Sequence, residues 1–389
     1  MALLKAEFDC EVLTPMFLSG VDQNTCELRA ASLRGVLRYW YRALLGGQGV
    51  TNLNDLKCSE AAVFGSTDAA SPVNVRVTPV QFAPDQLGNP ERLEDWNGGG
   101  KYGTPTRYLW YSTRLGDNHR LFVQPGTHFR VSFSTVLRRG DDAAQRRHAF
   151  EEALRAFWLV AHLGSLGTRA RRAAGSFEAR LVDRRGDFAC PDFRVNTGNG
   201  FDDYLRNGLT RIVGTSPEVQ RPEFSALHSQ YAKVWRASAD ADSWSDAVWN
   251  IGSDLREFRL RRGVDHEDQT QRGLDYHTMK QHLMDGQMPP TVERASFGLP
   301  ITFGFKGVHG KATVRPVDSD RRASPLWIRI VRLERGWYDA VLTHFDSRFL
   351  PGRGEMRMQK GHGQMPAPAQ SLVPLFVQHK LPDAAPLFG

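Results

Sequence analysis

Cysteine is scarce in this chain, with four among 389 residues. Cys10, Cys26, Cys58 and Cys190 are scattered and form no CxxC pair. That spacing excludes a zinc ribbon and a disulfide scaffold and fits a reducing compartment. Long hydrophobic runs are missing as well. No stretch approaches the roughly 18 apolar residues of a membrane helix, and the opening MALLKAEFDCEVLT lacks the apolar core of a secretory signal. A cytoplasmic protein with no membrane partner is expected. Lysine is the third shortage: nine of the 50 basic residues are lysine, and the rest are arginine. The net charge of +7 therefore rides mainly on the planar guanidinium, which meets phosphate oxygens two at a time. A GC-rich genome would inflate arginine everywhere, but it would not choose where arginines cluster. Hydrophobic and charged fractions of 41% and 24% are ordinary for a globular chain long enough for two cores.

The first half alternates strands and helices. A strand is expected over residues 7–18, a helix from Ser32 to the Gly46-Gly47 pair, and a period-two strand over 73–80 (VNVRVTPV). A Gly-, Pro- and Asn-rich loop follows at about 83–106, then strands near 107–112 and 127–137. A helix over 142–163 presents Phe150, Leu154, Phe157 and Ala161 on one face, and a last strand covers 176–182. This β-α-β-β-α-β order is ferredoxin-like and shared with the RNA recognition motif. The second half is read as helices at 224–237 and 243–262, strands at 295–305, 312–317, 326–334 and 337–345, and an irregular connector over 351–370. The fold class expected is α+β with two ferredoxin-like (RRM-like) domains, residues 1–187 and 188–389, the second with an irregular tail.

Two motifs concentrate positive charge. In LRAASLRGVLRYWYR (28–42), Leu33, Val36, Leu37, Trp40 and Leu44 form an apolar helical stripe. Beside it Arg34, Arg38 and Arg42 repeat every four residues with no acid between them. Such like-charged pairs cost about 0.2–0.5 kcal/mol each, so an anionic ligand is one explanation and a solvated helix face the other. Ser32 is placed to cap the helix, whose start would then favour an anion. In GSLGTRARRAAGSF (164–177), three glycines permit a tight turn while Arg169, Arg171 and Arg172 crowd together, as an anion nest would require. A solvated loop following a helix C-terminus is the plainer alternative. Arg169→Glu with Arg171→Glu should weaken RNA binding strongly and leave the melting temperature nearly unchanged, since exposed charges contribute little to stability.

Enzyme signals are weak. His266, His277 and His282 lie near Tyr276 and Lys280, the best arrangement for RNA cleavage, but in a polar segment far along the chain from both arginine motifs. The Gly304–Lys311 run is one residue too long for a P-loop, and Ala312 replaces the Mg²⁺-binding hydroxyl. There is no HExxH. The Asp202-Asp203 and Asp240/Asp242 pairs read as solvated turns. No catalytic residue, metal or cofactor is expected.

TPMFLSGVDQNTCELRAASLRGVLRYWYRALLGG (14–47), the Phe64-Gly65-Ser66 triplet and the GSLGTRARRAAGS turn resemble the RAMP (repeat-associated mysterious protein) superfamily. Within it they are similar to the first-named subunits of the Cmr complex, the type III-B CRISPR effector. The likeness is close over 14–47, good over 164–177 and looser at SPLWIRIVRLERGWYDAVL (324–342). It implies a place in a multi-subunit complex, with guide RNA, target RNA and other RAMP subunits as partners, near the 3′ portion of the guide. Carried onto this sequence, the helix motif offers Arg29, Ser32, Arg34, Gly35 and Arg38, joined by Arg42 of the arginine ribbon. The turn offers Gly164, Gly167, Thr168, Arg169, Arg171 and Arg172. The long loop adds Lys101 and Arg107, with Trp96 and Tyr102 as possible stacking platforms or as loop pins. Some relatives cut RNA, so an endoribonuclease is one alternative, with Asp22 in a loop comparable to that of cutting subunits. A scaffold whose arginines face acidic protein neighbours is another.

Overall fold

The computed structural model describes residues 2–20, 25–93, 96, 103–115, 118–137, 142–193, 200–215, 217–261, 273–333, 336–350, 354–359 and 363–389. The chain opens on β1 (Ala2–Val12), in which Leu4, Ala6, Phe8, Cys10 and Val12 alternate into the core. There follow α1 (Ala30–Gly47), α2 (Leu53–Phe64), β2 (Asn74–Thr78) and the short α3 (Pro105–Trp110). Then come β3 (His128–Leu137), α4 (Ala143–His162) and β4 (Phe177–Arg185). The four strands pair antiparallel in the order β2–β3–β1–β4. With α1 after β1 and α4 after β3, this is the ferredoxin-like arrangement. Phe157 of α4 presses on the sheet, its ring centroid 4.9 Å from Phe8 and 5.2 Å from Phe133. Tilted and edge-on aromatic pairs of this kind add about 0.5–1.5 kcal/mol each beyond area burial. The strand expected near 107–112 is instead mostly helix. Pro105 occupies its first turn, and the Thr104 hydroxyl accepts the Arg107 N–H at 3.1 Å, a start signal that outweighs the aromatic run behind it.

The second half comprises α5 (Phe201–Val213), β5 (Ala232–Ala241), α6 (Trp244–Arg261) and α7 (Leu274–Asp285). Next are β6 (Ile301–Phe303), β7 (Ala312–Pro316), β8 (Leu326–Arg332) and β9 (Tyr338–Phe345). The last elements are β10 (Glu355–Met358), β11 (Gln364–Pro366) and α8 (Leu372–Lys380). A sheet in the order β8–β9–β5 repeats the first three positions of the N-terminal sheet. On the free side of β5, Val234 donates to Phe388 O at 3.0 Å and accepts from Leu387 N at 2.7 Å. A fourth strand is thus present as a two-residue stub, and the ferredoxin-like order recurs, with α6 and α8 in the helix positions.

The helix expected over 224–237 is overturned, since 232–241 is β5. Ala232, Val234, Ala237, Ala239 and Ala241 are buried while Lys233, Ser238 and Asp240 face out. Alanine carries helix propensity, but its period here is nearly two. Within the expected 351–370 connector lie β10 and β11; β10 pairs with β7 on one side and β11 on the other in a further sheet, β6–β7–β10–β11, over its own core of Met279, Val292, Val314 and Met356. Asp202, read as part of a solvated turn, lies in α5. Its carboxylate accepts from Arg236 Nε at 2.6 Å, and Arg236 also reaches Asp339 at 2.7 Å.

The two ferredoxin-like modules share a junction. Trp327 of β8 lies 5.1 Å from Trp40 and 5.4 Å from Tyr39. Arg332 forks onto Glu11, at 2.8 and 2.7 Å, and onto Glu178 at 2.8 Å.

Candidate nucleic-acid interface

The first helix is built as its sequence period requires. Leu33, Leu37, Trp40 and Leu44 are fully buried and Val36 half-buried. Its start differs from expectation. The helix begins at Ala30, so Ser32 lies inside the first turn and caps nothing. Arg29 holds the N-cap position without a side-chain hydrogen bond, and the first turn contains no acid. The leading N–H groups and the positive end of the helix dipole are therefore left for a ligand. Ala31, Ser32 and Gly35 are exposed, and a Cβ on Gly35 would meet nothing within 4 Å.

The arginine ribbon divides. Arg38 Nη1 pairs with Glu60 Oε1 at 2.7 Å, while its Nη2 donates to Phe64 O at 2.8 Å and Gly65 O at 2.7 Å. Arg42 takes the other oxygen of Glu60 at 2.6 Å. The missing counter-charge comes from α2, and the Phe64-Gly65-Ser66 triplet is the helix end that Arg38 closes. Both arginines thus have a protein carboxylate as partner, Arg38 fully engaged by three acceptors and Arg42 through one nitrogen with its side chain 41% exposed. Arg34 is left, and its Nε is buried without a hydrogen-bond partner among the described residues.

The glycine–arginine turn also divides. A Cβ on Gly164 would come within 2.5 Å of Trp40 Nε1, and one on Gly167, at φ +88°, within 2.4 Å of Phe17 O. At both glycines the close approach is made by protein, and beside Gly167 Thr168 N donates to Phe17 O at 2.8 Å. Arg172 is 7% exposed and donates to Phe297 O at 3.0 Å and Leu326 O at 3.2 Å. Burial, with Arg169 and Arg259 nearby, holds its pKa well below the usual guanidinium range. A phosphate contact by Arg172 gives way to a tether onto β8. Arg171 lies 4.6 Å over the Trp327 ring and 4.9 Å over Tyr39, and also bonds Ser324 O. Arg169 donates through Nε to Leu109 O at 2.6 Å and stacks 4.8 Å over Tyr111. From the far side, Arg329 of β8 donates to Gly164 O at 2.8 Å and to Phe177 O, and burial lowers its pKa to about 10.

What the two motifs do share is a cleft of about 320 Å³. Phe17, Leu28, Leu33 and Leu166 supply apolar wall, and Val36 extends it along α1. Leu18, Ser19, Glu27, Ser32, Arg120, Gly167 and Thr168 complete the lining. Arg120 Nη1 donates to Thr168 Oγ1 at 2.9 Å, bringing a cation to the cleft that sequence reading passed over. So did it pass over Ser19 and Glu27. Pairing of Phe17 with Thr168, beside the bonds of Leu13 to Ser176 and of Gly175 to Pro15, brings segments far apart in sequence to one place, and no local signal announces it.

A family model described as the RAMP superfamily matches residues 9–178. The CRISPR system Cmr subunit Cmr1-2 of Pyrococcus furiosus is 30% identical over 194 residues, which span 97% of that protein and 46% of this chain. The chain belongs to the Cmr1 family of the RAMP superfamily. Subunit Cmr1-1 of the same organism is 27% identical over 352 residues, 89% of this chain and 88% of the relative. The crystal structure of Cmr1 from P. furiosus in its apo form shares the fold with a TM-score of 0.62, at 21% identity and covering 99% of each chain. A chain from a type III-B Cmr-beta complex bound to cognate target RNA aligns with a TM-score of 0.50 at 13% identity, over 89% of this chain and 94% of that one. The RAMP match contains every segment that lines the cleft.

Other expected residues of this Cmr1-family chain fall elsewhere. Trp96 is 1% exposed and pins its loop to the core, so its ring is closed to a base. Arg107 is half-buried in α3. Lys101, Tyr102, Asp22 and His266 lie outside the described residues. His277 is exposed on α7, and His282 Nδ1 lies 3.1 Å from Gln287 O. Helix α7 packs into the core of the additional sheet, which contains no cleft residue. Among the described residues there is no group of three His, Cys, Asp or Glu able to hold a metal, and no helix long and apolar enough to cross a membrane.

Proposed function

We propose that this chain is a non-catalytic RNA-binding subunit of a type III-B CRISPR effector. It holds guide RNA near its 3′ portion and helps capture target RNA, beside other RAMP subunits, in the cytoplasm. The observation that carries this reading is the cleft at the uncapped start of α1. Backbone N–H groups and the helix dipole favour a phosphate there. Arg120 supplies a cation in the lining and Arg29 one beside Glu27, Ser32 and Thr168 supply hydroxyls, and Arg34 follows on the same helix. Gly35 leaves room for a strand to lie against the helix. Family membership supports the same reading, because relatives bear the name of Cmr subunits and a structural neighbour is part of a complex bound to cognate target RNA.

Fluorescence anisotropy with single-stranded RNA tests the proposal. If about five phosphates are neutralised, log K should fall against log[salt] with a slope near −3.5. Gly35→Glu adds an anion where no protein atom is displaced; it should weaken binding about tenfold or more without lowering the melting temperature. Arg120→Glu should act in the same direction. RNA affinity within twofold of the wild type for both variants would contradict the assignment, and no affinity even at low salt would favour a scaffold.

A further inference from the structure

Resting on the reading above that an RNA strand occupies this cleft, we infer that the cleft receives an unstacked base of that strand and prefers guanine. The lining is divided in a way a phosphate alone does not explain. Phe17, Leu28, Leu33 and Leu166 give apolar wall suited to the faces of a base, and about 320 Å³ is ample for a purine. A carboxylate, Glu27, also lines the cavity, and it would repel a phosphodiester seated there. Among the described residues its acceptors are underused. Oε1 takes one long bond from Gln81 Nε2, at 3.3 Å, and Oε2 faces Arg29 Nε at 4.0 Å. Ser19 Oγ is buried in the same lining without a hydrogen-bond partner among the described residues. A buried polar atom left unpaired is costly, and a base edge would satisfy it.

Single-stranded RNA is read when unstacked bases offer their Watson–Crick edges. Guanine alone presents two adjacent parallel donors on that edge, N1–H and N2–H, and these match the two oxygens of a carboxylate. Its O6 can accept from a hydroxyl such as that of Ser19. Uracil offers one N–H between two carbonyls, whose lone pairs would face the Glu27 charge. Adenine and cytosine offer an amino group beside an acceptor. The sugar-phosphate of the inserted nucleotide then lies toward Arg120, Thr168 and the start of α1.

The test titrates the full chain with labelled eight-residue oligouridines carrying one central guanosine, inosine, adenosine or no replacement. Wild-type protein should bind the guanosine oligomer about tenfold more tightly than oligouridine, the usual size of a good bidentate base contact. Inosine, which lacks the N2 amine, should fall between. Glu27→Gln should abolish the guanosine preference. Equal affinity of the wild type for all four oligomers would overturn the inference and leave the RNA-binding proposal standing. A guanosine preference that persists in Glu27→Gln would overturn it too. Absence of binding to every oligomer would remove both.

Discussion

Three acceptors converge on the Arg38 guanidinium: Glu60 Oε1, Phe64 O and Gly65 O, all within 2.8 Å. Removing it leaves the end of α2 open and a nearly buried carboxylate, Glu60, with one partner fewer. Arg38→Ala should therefore cost about 2–3 kcal/mol in urea unfolding. Arg38→Lys should recover little, because an ammonium lacks the fork that spans these positions. The fourfold arginine spacing in the sequence was a true signal of an anion, but that anion is a glutamate 22 residues away. Spacing reveals which side of a helix is charged, and only packing reveals what meets it. His162 and His344 carry a second prediction at this scale. Burial pushes their pKa values down to about 3 and about 4, so both are neutral in the folded chain, while the unfolded chain binds protons below about 6.5. Folded pKa values below unfolded ones mean stability present above pH 6.5 and lost as pH falls toward 4. The loss should approach about 1.4 kcal/mol per pH unit for each histidine. His162→Gln should make the acid limb of a stability-versus-pH curve shallower; an unchanged slope would contradict the assignment.

Helix α1 shows how a ligand-facing element departs from what stability alone prefers. It starts with no side-chain cap, carries no acid in its first turn, and keeps an exposed glycine in its interior. Because a Cβ at position 35 meets open space, Gly35→Ala should raise stability by about 0.5–1 kcal/mol in thermal or denaturant unfolding. Any accompanying loss of RNA affinity would reflect close approach of a strand to that face. The apolar face of this helix was legible from its period, as were α4 and the ferredoxin-like class; the first strand was legible only in part, expected over 7–18 where β1 covers Ala2–Val12, and α2 went unread. Strand β5 was not. Its inward positions are mostly alanine, whose propensity says helix, and the alternation shows only when the charged and polar partners are counted alongside. The sheet β6–β7–β10–β11 was opaque for a different reason, since its strands come from segments on both sides of the β8–β9 pair, and no local pattern joins them.

Across the whole molecule, the arginines of the turn after α4 bind the two modules together. Arg171 and Arg172 reach β8 and its approach, and Arg329 reaches back to Gly164. This reverses what sequence suggested for the double variant. Arg169→Glu with Arg171→Glu removes two charge-assisted hydrogen bonds and three cation–π contacts, and should lower stability by at least about 3 kcal/mol. A melting temperature equal to that of the wild type would show that these contacts are dispensable. The recurrence of the ferredoxin-like order was legible as a class, but the two-residue fourth strand of the second module, at Leu387 and Phe388, carries too few residues for any periodicity. The cleft depended on this scale most of all, because its walls are brought together by tertiary pairing.

The central claim is that an RNA strand lies where the start of α1 faces the Gly167–Thr168 turn. It is tested most directly by photocrosslinking 4-thiouridine-labelled single-stranded RNA to the purified chain and mapping the adducts by mass spectrometry. The account predicts adducts on peptides containing residues 17–19, 27–36, 120 and 166–168. Adducts confined to α7 and the sheet β6–β7–β10–β11, with none on those peptides, would contradict it.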